Sequence, residues 1–450
     1  MIKKTYMKPT LIKQVVGVMN KFGNSIQQRN VREEIDGASV NDLLEQYGSS
    51  LFVFSERQLR RQIRRLKQAF STRYPAVVFS WSYKTNYLSA ICSLFHQEGE
   101  IAEVVSGFEY EKARKLGMPG HKIVFNGPLK TDEELRRAFS EGAKVHIDNF
   151  AELQRAEKVA RLMGKKVPVG IRLNMDTGLY ACWPKFGFNL ENSQAYEAAS
   201  RIARSEWLEL TGLHSHIGTF MLDPAPYRTE VEKLVGFMFR VEEQLNCNIE
   251  YLDIGGGFPS RNRLKGIYHN PDVTVPDIEE YAEAICSTLD KCLPAGRTPT
   301  LYLETGRHLV DEAGYLLTSV YAQKQMPDGR TAYFVDAGVN LLYTGTWYDF
   351  KIQPGRNLSG TPQACLLYGP LCMNIDVVCE SVYLPPLPVG TPLVISPVGA
   401  YNVTQWMQFI TYRPAVIMVL ENGQTEIIRR RETLEDVDGP ERIPEKLKFH

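Results

Sequence analysis

What most constrains this chain is a rhythm. Eight short apolar runs recur between residues 77 and 303: Val77–Tyr83, Ile101–Val105, Lys122–Phe125, Lys144–Ile147, Val167–Leu173, Thr211–His216, Tyr251–Ile254 and Thr300–Leu303. Helix-period patterns separate them, among them Leu88–Phe95, Thr131–Ser140, Ala151–Leu162, Tyr227–Leu245 and Ile278–Leu289. Strands that are apolar along their whole length, not only on alternate residues, belong to a parallel sheet covered by helices. Eight such units close into a (β/α)8 barrel. An open doubly wound sheet is the competing arrangement. It calls for a G-x-G-x-x-G turn after its first strand, and Ser82–Asn86 contains no glycine.

The rhythm has flanks of a different texture. Leu51–Phe54 reads as a strand, and Ser55 as the N-cap of a helix through Phe70. Beyond about residue 310 helical periodicity gives way to strand-like runs: Tyr315–Tyr321, Ala332–Val335, Cys365–Tyr368, Asp376–Tyr383, Pro392–Ser396, Val416–Leu420 and Glu426–Arg429. Asp328-Gly329 and Asn422-Gly423 are hairpin signals. We therefore expect an N-terminal extension over 1–34, a strand and helix over 35–72, the barrel over 73–310, an all-β domain over 311–435 that takes in the early strand, and a charged tail over 436–450. Leu11, Val15, Val16 and Met19 share one helical face, so the extension reads as a surface helix; the segment from Arg429 to Lys448 reads as loose.

Charge and cysteine usage narrow the partners. Lys+Arg and Asp+Glu balance at 52 each, so no net field recruits nucleic acid or anionic lipid, and a small molecule is the expected ligand. The eight cysteines are scattered and form no C-x-x-C pair, which points to a reducing compartment rather than a disulfide or zinc scaffold. No apolar run reaches the roughly 20 residues a membrane helix needs, and Lys13 interrupts the stretch that a signal peptide would use. The expected location is the cytoplasm.

Residues just past the carboxyl ends of barrel strands converge on one mouth. Here they are Lys84 after the first strand; Glu103, Ser106, Gly107 and Glu109 at the second; Arg172 and Asn174 at the fifth; His214, His216 and Thr219 at the sixth; Gly255-Gly256-Gly257 at the seventh; and Glu304, Gly306 and Arg307 at the eighth. A triple glycine exposes backbone N–H groups and suits a phosphate, to which Arg307 adds charge and Thr219 a hydroxyl. A lysine facing a phosphate site points to a Schiff base with pyridoxal 5'-phosphate. That cofactor also needs a group at its ring nitrogen, for which Glu304 is the candidate. Taken singly, Lys84 could be solvated, the glycines a tight turn and His216 a core histidine. Their placement at one end of successive strands is what carries the joint reading.

Eight stretches in order, Tyr83-Lys84-Thr85-Asn86, Glu103-Val-Val-Ser-Gly, His216-Ile-Gly-Thr, Gly255-Gly-Gly-Phe-Pro, Glu304-Thr-Gly-Arg307, Asp336-Ala-Gly, Gly369-Pro-Leu-Cys372 and Gly399-Ala-Tyr401, resemble the fold-type III pyridoxal phosphate decarboxylases, which include diaminopimelate and ornithine decarboxylases. The resemblance covers roughly residues 50–430. It implies an amino-acid α-decarboxylase acting on a small-molecule amino acid. Lys84 would carry the Schiff base, His216 would stack on the ring, and Glu304 would meet the ring nitrogen. Gly255–Gly257, Thr219, Arg307 and Tyr401, with Gly306, would hold the phosphate. It also implies a homodimer with shared active sites, in which Cys372 reaches the partner's mouth as proton donor.

Departures bear on the substrate, whose expected contacts are Arg307, Tyr348, Asp349, Met373 and Tyr401. Diaminopimelate decarboxylases usually carry an arginine where Thr344 stands and a glutamate where Met373 stands. Those side chains grip the distal amino-acid end. Asp349 occupies the place where the ornithine branch meets a distal ammonium, and Glu103 stands where an aspartate is usual. The substrate therefore stays open between diaminopimelate and an ornithine- or lysine-like or modified amino acid. An amino-acid racemase and a non-catalytic homologue are the alternatives. The Cys372 motif weighs against the first, and the full set of Lys84, His216, Glu304 and Arg307 against the second.

Overall fold

The structure is a computed structural model that describes residues 31–267 and 270–449. The helix expected over Leu11 to Met19 lies outside the described residues. Eight parallel strands close the barrel: Val77–Ser82, Ile101–Val104, Ile123–Phe125, Lys144–Ile147, Val167–Asn174, Leu208–Ser215, Tyr251–Asp253 and Thr300–Thr305. Each pairs with the next in the sequence, and the eighth returns to the first with Leu301 opposite Val77 and Thr305 opposite Trp81.

The covering helices begin where the sequence supplies caps. Thr131 and Glu134 form a reciprocal capping box ahead of Asp132–Ser140, and Ser55 Oγ accepts the Gln58 N–H at 3.0 Å ahead of Glu56–Ser71. Each cap satisfies an N–H that has no partner inside the helix, worth about 1 kcal/mol. Glu56–Ser71 buries Leu59, Ile63, Leu66 and Phe70 on one stripe at helical spacing. Its arginines pair with acids on neighbouring segments, Arg65 with Glu279 and Arg60 with Glu98, both at 2.7 Å.

The second sheet is built on the long strand Gly314–Gln325, which pairs antiparallel with Thr331–Val335, Pro392–Ser396 and Leu51–Ser55. Leu51–Ser55 also lies parallel to Ala415–Val419. The strand before the barrel is thus built into the sheet that follows it, and all five of its residues are buried. Both hairpin signals form turns, with Gly329 at φ 86° and Gly423 at φ 84°, where a Cβ would be strained. Besides several two-residue strands, Lys351–Pro354, which pairs with Pro392–Ser396, was not anticipated. The segment after Arg429 departs from the loose tail expected of it. Glu432 is buried against Arg413 and Arg429 at 3.1 and 2.7 Å, and Thr433 caps a short helix, Leu434–Asp438.

This sheet also reaches the barrel mouth. Asn86 Nδ2 donates to the Gly399 carbonyl at 3.0 Å, Tyr401 N–H to the Thr85 carbonyl at 2.8 Å, and Thr404 Oγ1 to the Lys84 carbonyl at 3.1 Å. The turn carrying Lys84 is clamped from the β side as well as by its own strand. No helix among the described residues is long and apolar enough to cross a membrane.

Candidate active site

A single 3-10 turn, Tyr83–Thr85, follows the first barrel strand and lifts Lys84 into the mouth. Lys84 Nζ lies 2.6 Å from Glu103 Oε1 and 3.9 Å from Glu304 Oε2. Glu103 and Glu304 come from the second and eighth strands and are both buried. Burial pulls the lysine toward the neutral amine, but the two carboxylates outweigh it and hold its pKa above the ordinary lysine range. Burial likewise raises Glu103, against the pull of Lys84.

Glu304 Oε1 accepts the Asn126 side-chain N–H, and His214 Nε2 stands 3.2 Å from the same oxygen. His216 accepts the Gly256 N–H at Nδ1 over 3.1 Å, so its remaining proton sits on Nε2. Burial pushes its pKa down to about 3, with Glu304 opposing; the ring is therefore neutral.

The three glycines knit the strand ends together. Gly255 and Gly257 have φ of 65° and 89°, in the left-handed region. A Cβ on Gly255 would stand 2.5 Å from His216 Nδ1, one on Gly256 would overlap the Glu304 carbonyl oxygen, and one on Gly257 that of Gly218. Two of the three N–H groups are engaged: Gly255 donates to Asp253 Oδ1 at 2.9 Å and Gly256 to His216. Only Gly257 of the three lines the small cleft beside Lys84, which it shares with Ser82, Thr85, Thr219, Gly306 and Arg307 among others. The glycines are needed mainly for close approach, and less as a row of donors.

Arg307 is held between two tyrosines, its guanidinium carbon 4.8 Å from the Tyr348 ring centre and 4.9 Å from that of Tyr401. Arg307 Nε and Thr85 Oγ1 are buried without a hydrogen-bond partner. The small cleft opens beside a cavity of about 750 Å³ that includes Lys84, His216, Glu304, Arg307, Tyr348 and Tyr401 in its lining. The outer part is aromatic, with Tyr180, Trp183, Phe186, Phe220 and Trp347.

Of the expected residues, Glu103, Gly255 and Gly256 line neither the cavity nor the cleft but stand behind Lys84 and His216, and Asp349, Cys372 and Met373 lie away from both. Asp349 pairs with Arg263 at 3.3 Å on a short two-stranded ribbon. Cys372 is exposed and Met373 half-buried on a loop whose Asp376 accepts the Leu371 N–H at 2.7 Å and, from another segment, the Val339 N–H at 2.8 Å. Several lining residues were missed: Asn126, Tyr180, Trp183, Phe186, Phe220 and Trp347. Asn126 directly follows the third strand, so the strand-end rule that found Lys84 reaches it too. The aromatic residues sit on long loops, where no periodic signal marks them.

These residues fit pyridoxal phosphate. The unpartnered Arg307 Nε and Thr85 Oγ1, with Thr219 and the Gly257 backbone, form an anion cleft, and Lys84 and Glu304 stand on its cavity side. A lysine between carboxylates next to an anion cleft, at the carboxyl end of a (β/α)8 barrel, defines a barrel-type pyridoxal phosphate enzyme. Residues 56–311 match the model of the pyridoxal-dependent decarboxylases, pyridoxal binding domain, and the chain belongs to that family. It is 29% identical to the diaminopimelate decarboxylase of Methanocaldococcus jannaschii over 447 residues, 96% of this chain and 99% of that one. It is 30% identical to that of Methanothermobacter thermautotrophicus over 433 residues, 92% and 96% of the two chains. The crystal structure of the M. jannaschii enzyme in complex with L-lysine superposes with a TM-score of 0.84 over 92% of this chain and 97% of that one. The protein is accordingly a pyridoxal phosphate-dependent amino-acid decarboxylase.

Proposed function

We propose that this decarboxylase takes an amino acid whose distal end is not a free ammonium or zwitterion but an acylated or anionic tail, and that it works in the cytoplasm as a homodimer. The observation that carries the substrate reading is the charge of the cavity. Among the described residues Glu304 is the one carboxylate in the lining, and it lies deep beside Lys84; Arg172, Lys185 and Arg307 are cations there. Thr344 lines the wall and donates its hydroxyl to Asn402 at 3.0 Å. Asp349, the acid closest in sequence, is turned to Arg263. A distal ammonium would be desolvated here with no counter-charge from this chain's own lining, which costs a few kcal/mol. The relatives named above act on diaminopimelate by name, and that substrate's distal end is a zwitterion.

When bound, pyridoxal phosphate supplies the electron sink for the pair left on Cα as carbon dioxide departs. Around it, Lys84 would anchor the cofactor, Glu304 would hold a proton at its ring nitrogen, and neutral His216 would pack against its ring. Arg307, Tyr401, Thr219, Gly306 and Gly257 would orient the phosphate. Tyr348 and the aromatic wall exclude water. The Cys372 thiol of the second copy gives its proton to Cα; its exposure on a loop braced by Asp376 supports that role.

A carbon dioxide release screen tests the substrate reading. It should include meso-diaminopimelate, lysine, ornithine, arginine, their D-forms, and lysine acylated on Nε with acetyl or succinyl groups. The acylated forms should exceed the free amines in kcat/KM by about tenfold or more, the value of one desolvated charge contact. A clear preference for meso-diaminopimelate overturns the reading of the cavity.

A further inference from the structure

Barrel interiors are ordinarily filled with branched apolar side chains. Below Glu304 this barrel holds a polar layer instead. His214 sits level with Arg172 on one neighbouring strand and Asp253 on the other. His146 stacks on His214 with ring centres 4.7 Å apart, and its Nε2 is 3.1 Å from the Tyr251 hydroxyl. Its Nδ1 is 4.0 Å from Asp253 Oδ2. Ligand atoms of His146, His214, Asp253 and Glu304 all lie within 4.8 Å of one another, and all four residues are buried.

The layer is specified by the sequence. A Cβ on Gly170 would stand 2.7 Å from His146 Cδ2 and 2.8 Å from the Tyr251 hydroxyl, and one on Gly212 would overlap the Tyr251 ring. Two strands give up side chains so that Tyr251 and His146 can lie in the barrel. Yet the layer is not self-satisfied: His146 Nδ1, both His214 nitrogens and Asp253 Oδ2 have no aligned hydrogen-bond partner. Each such buried group costs about 1–3 kcal/mol. The His214 nitrogen nearest an acceptor is Nε2, 3.2 Å from Glu304 Oε1.

We propose that His214, packed on the His146 ring, is a positioning residue whose Nε2–H, 3.2 Å from Glu304 Oε1 but not aligned on it here, turns onto that oxygen and keeps Glu304 aimed at the cofactor ring. This rests on the reading of Glu304 as the partner of the ring nitrogen. His214 is fully enclosed, and burial, reinforced by Arg172 and Lys84, keeps its pKa well below the ordinary histidine value. It is thus a neutral donor of one hydrogen and does not compete with Glu304 as a cation. The other groups facing Glu304 are Lys84, Asn126, Arg172 and His216 as donors or cations, and Glu103, Asp253 and Glu230 as acids. Asn126 and His214 are the two uncharged side-chain nitrogens beside Oε1.

The test compares His214→Phe, His214→Gln and Glu304→Gln. Gln places an amide Nε2 where the imidazole Nε2 stands, whereas Phe keeps the ring's bulk and removes the donor. Two readouts apply: pyridoxal phosphate affinity by fluorescence titration of the apoprotein, and the pH at which the absorbance of the bound cofactor changes. His214→Phe should weaken binding about ten- to a hundredfold, as for a hydrogen bond to a charged group, and lower the spectral midpoint by about one pH unit. His214→Gln should restore most of both. If Glu304→Gln moves both readouts while His214→Phe moves neither, the proposal is overturned and the Glu304 reading stands. If Glu304→Gln moves neither, the Glu304 reading fails and takes this proposal with it. If the Phe variant fails to fold, the Gln variant decides: a wild-type spectral midpoint supports the proposal, and a midpoint shifted like that of Glu304→Gln overturns it.

Discussion

Replacing Glu103 by Gln removes the nearer of two charges that keep Lys84 protonated, and it should make the apoprotein react faster with its cofactor. At an effective dielectric near 20, opposite charges about 4 Å apart attract by about 4 kcal/mol, and the Lys84–Glu103 contact is only 2.6 Å. The Lys84 side chain is 34% exposed to the cavity, so solvent screens much of that attraction. We take about 1.4 kcal/mol as the part lost, which is one pKa unit. With the carboxylate gone, Glu304 alone of the two acids still opposes burial, and the lysine pKa falls. The free amine is the nucleophile, so its fraction near neutral pH rises about tenfold. Stopped-flow absorbance of apoprotein mixed with pyridoxal phosphate should show a second-order rate constant about tenfold higher near neutral pH, with its rise beginning about one unit lower. The raised folded-state pKa of Lys84 stabilises the fold at neutral pH and is lost only as pH climbs through that raised value, whereas the raised pKa of Glu103 opposes it above the ordinary carboxylate range; Glu103→Gln removes both contributions. Superimposable rate profiles for the two proteins would refute the claim that Glu103 governs the protonation of Lys84.

Gly256→Ala forces a methyl against the Glu304 carbonyl oxygen, an overlap of more than about 1 Å relative to ordinary contact. Backbone cannot rotate out of the way, so stability should fall by about 1–3 kcal/mol in chemical denaturation, and cofactor affinity should fall with it. Lys84→Ala and Cys372→Ala should each be nearly inactive alone, yet an equal mixture refolded together should recover about a quarter of wild-type turnover, since half the dimers pair one intact mouth with one intact thiol; an additive mixture removes Cys372 from the partner's site. Thr344→Arg with Met373→Glu should raise kcat/KM for meso-diaminopimelate about tenfold or more by supplying the missing counter-charges, checked by carbon dioxide release; no gain means the distal end binds elsewhere.

The barrel was legible because its strands are buried on both faces, so whole runs are apolar and their ends can be counted off. Where a polar residue interrupts a run, the reading stops early: Glu209 is exposed on the sixth strand, which begins at Leu208 and not at Thr211. Lys351–Pro354 escaped for a related reason, since Lys351 and Gln353 make it look like loop although Ile352, Gln353 and Pro354 are all buried. The site divides the same way. Lys84, Glu103, His216, Glu304 and Arg307 lie at or just past strand ends, where the fold alone dictates convergence. Asp349 and Trp347 follow no such rule. They are neighbours of Tyr348, yet Asp349 faces Arg263 while Trp347 and Tyr348 line the cavity, a choice set by the short ribbon that pairs Arg263 with Asp349. The polar layer was hidden for the opposite reason. Gly170, Gly212 and Tyr251 each read as an unremarkable strand residue. Only the barrel register shows that two missing side chains make room for Tyr251 and His146 beneath Glu304. What sequence periodicity records is which face of a strand is dry; what occupies the dry side is settled between strands, and that is where the chemistry under the cofactor was written.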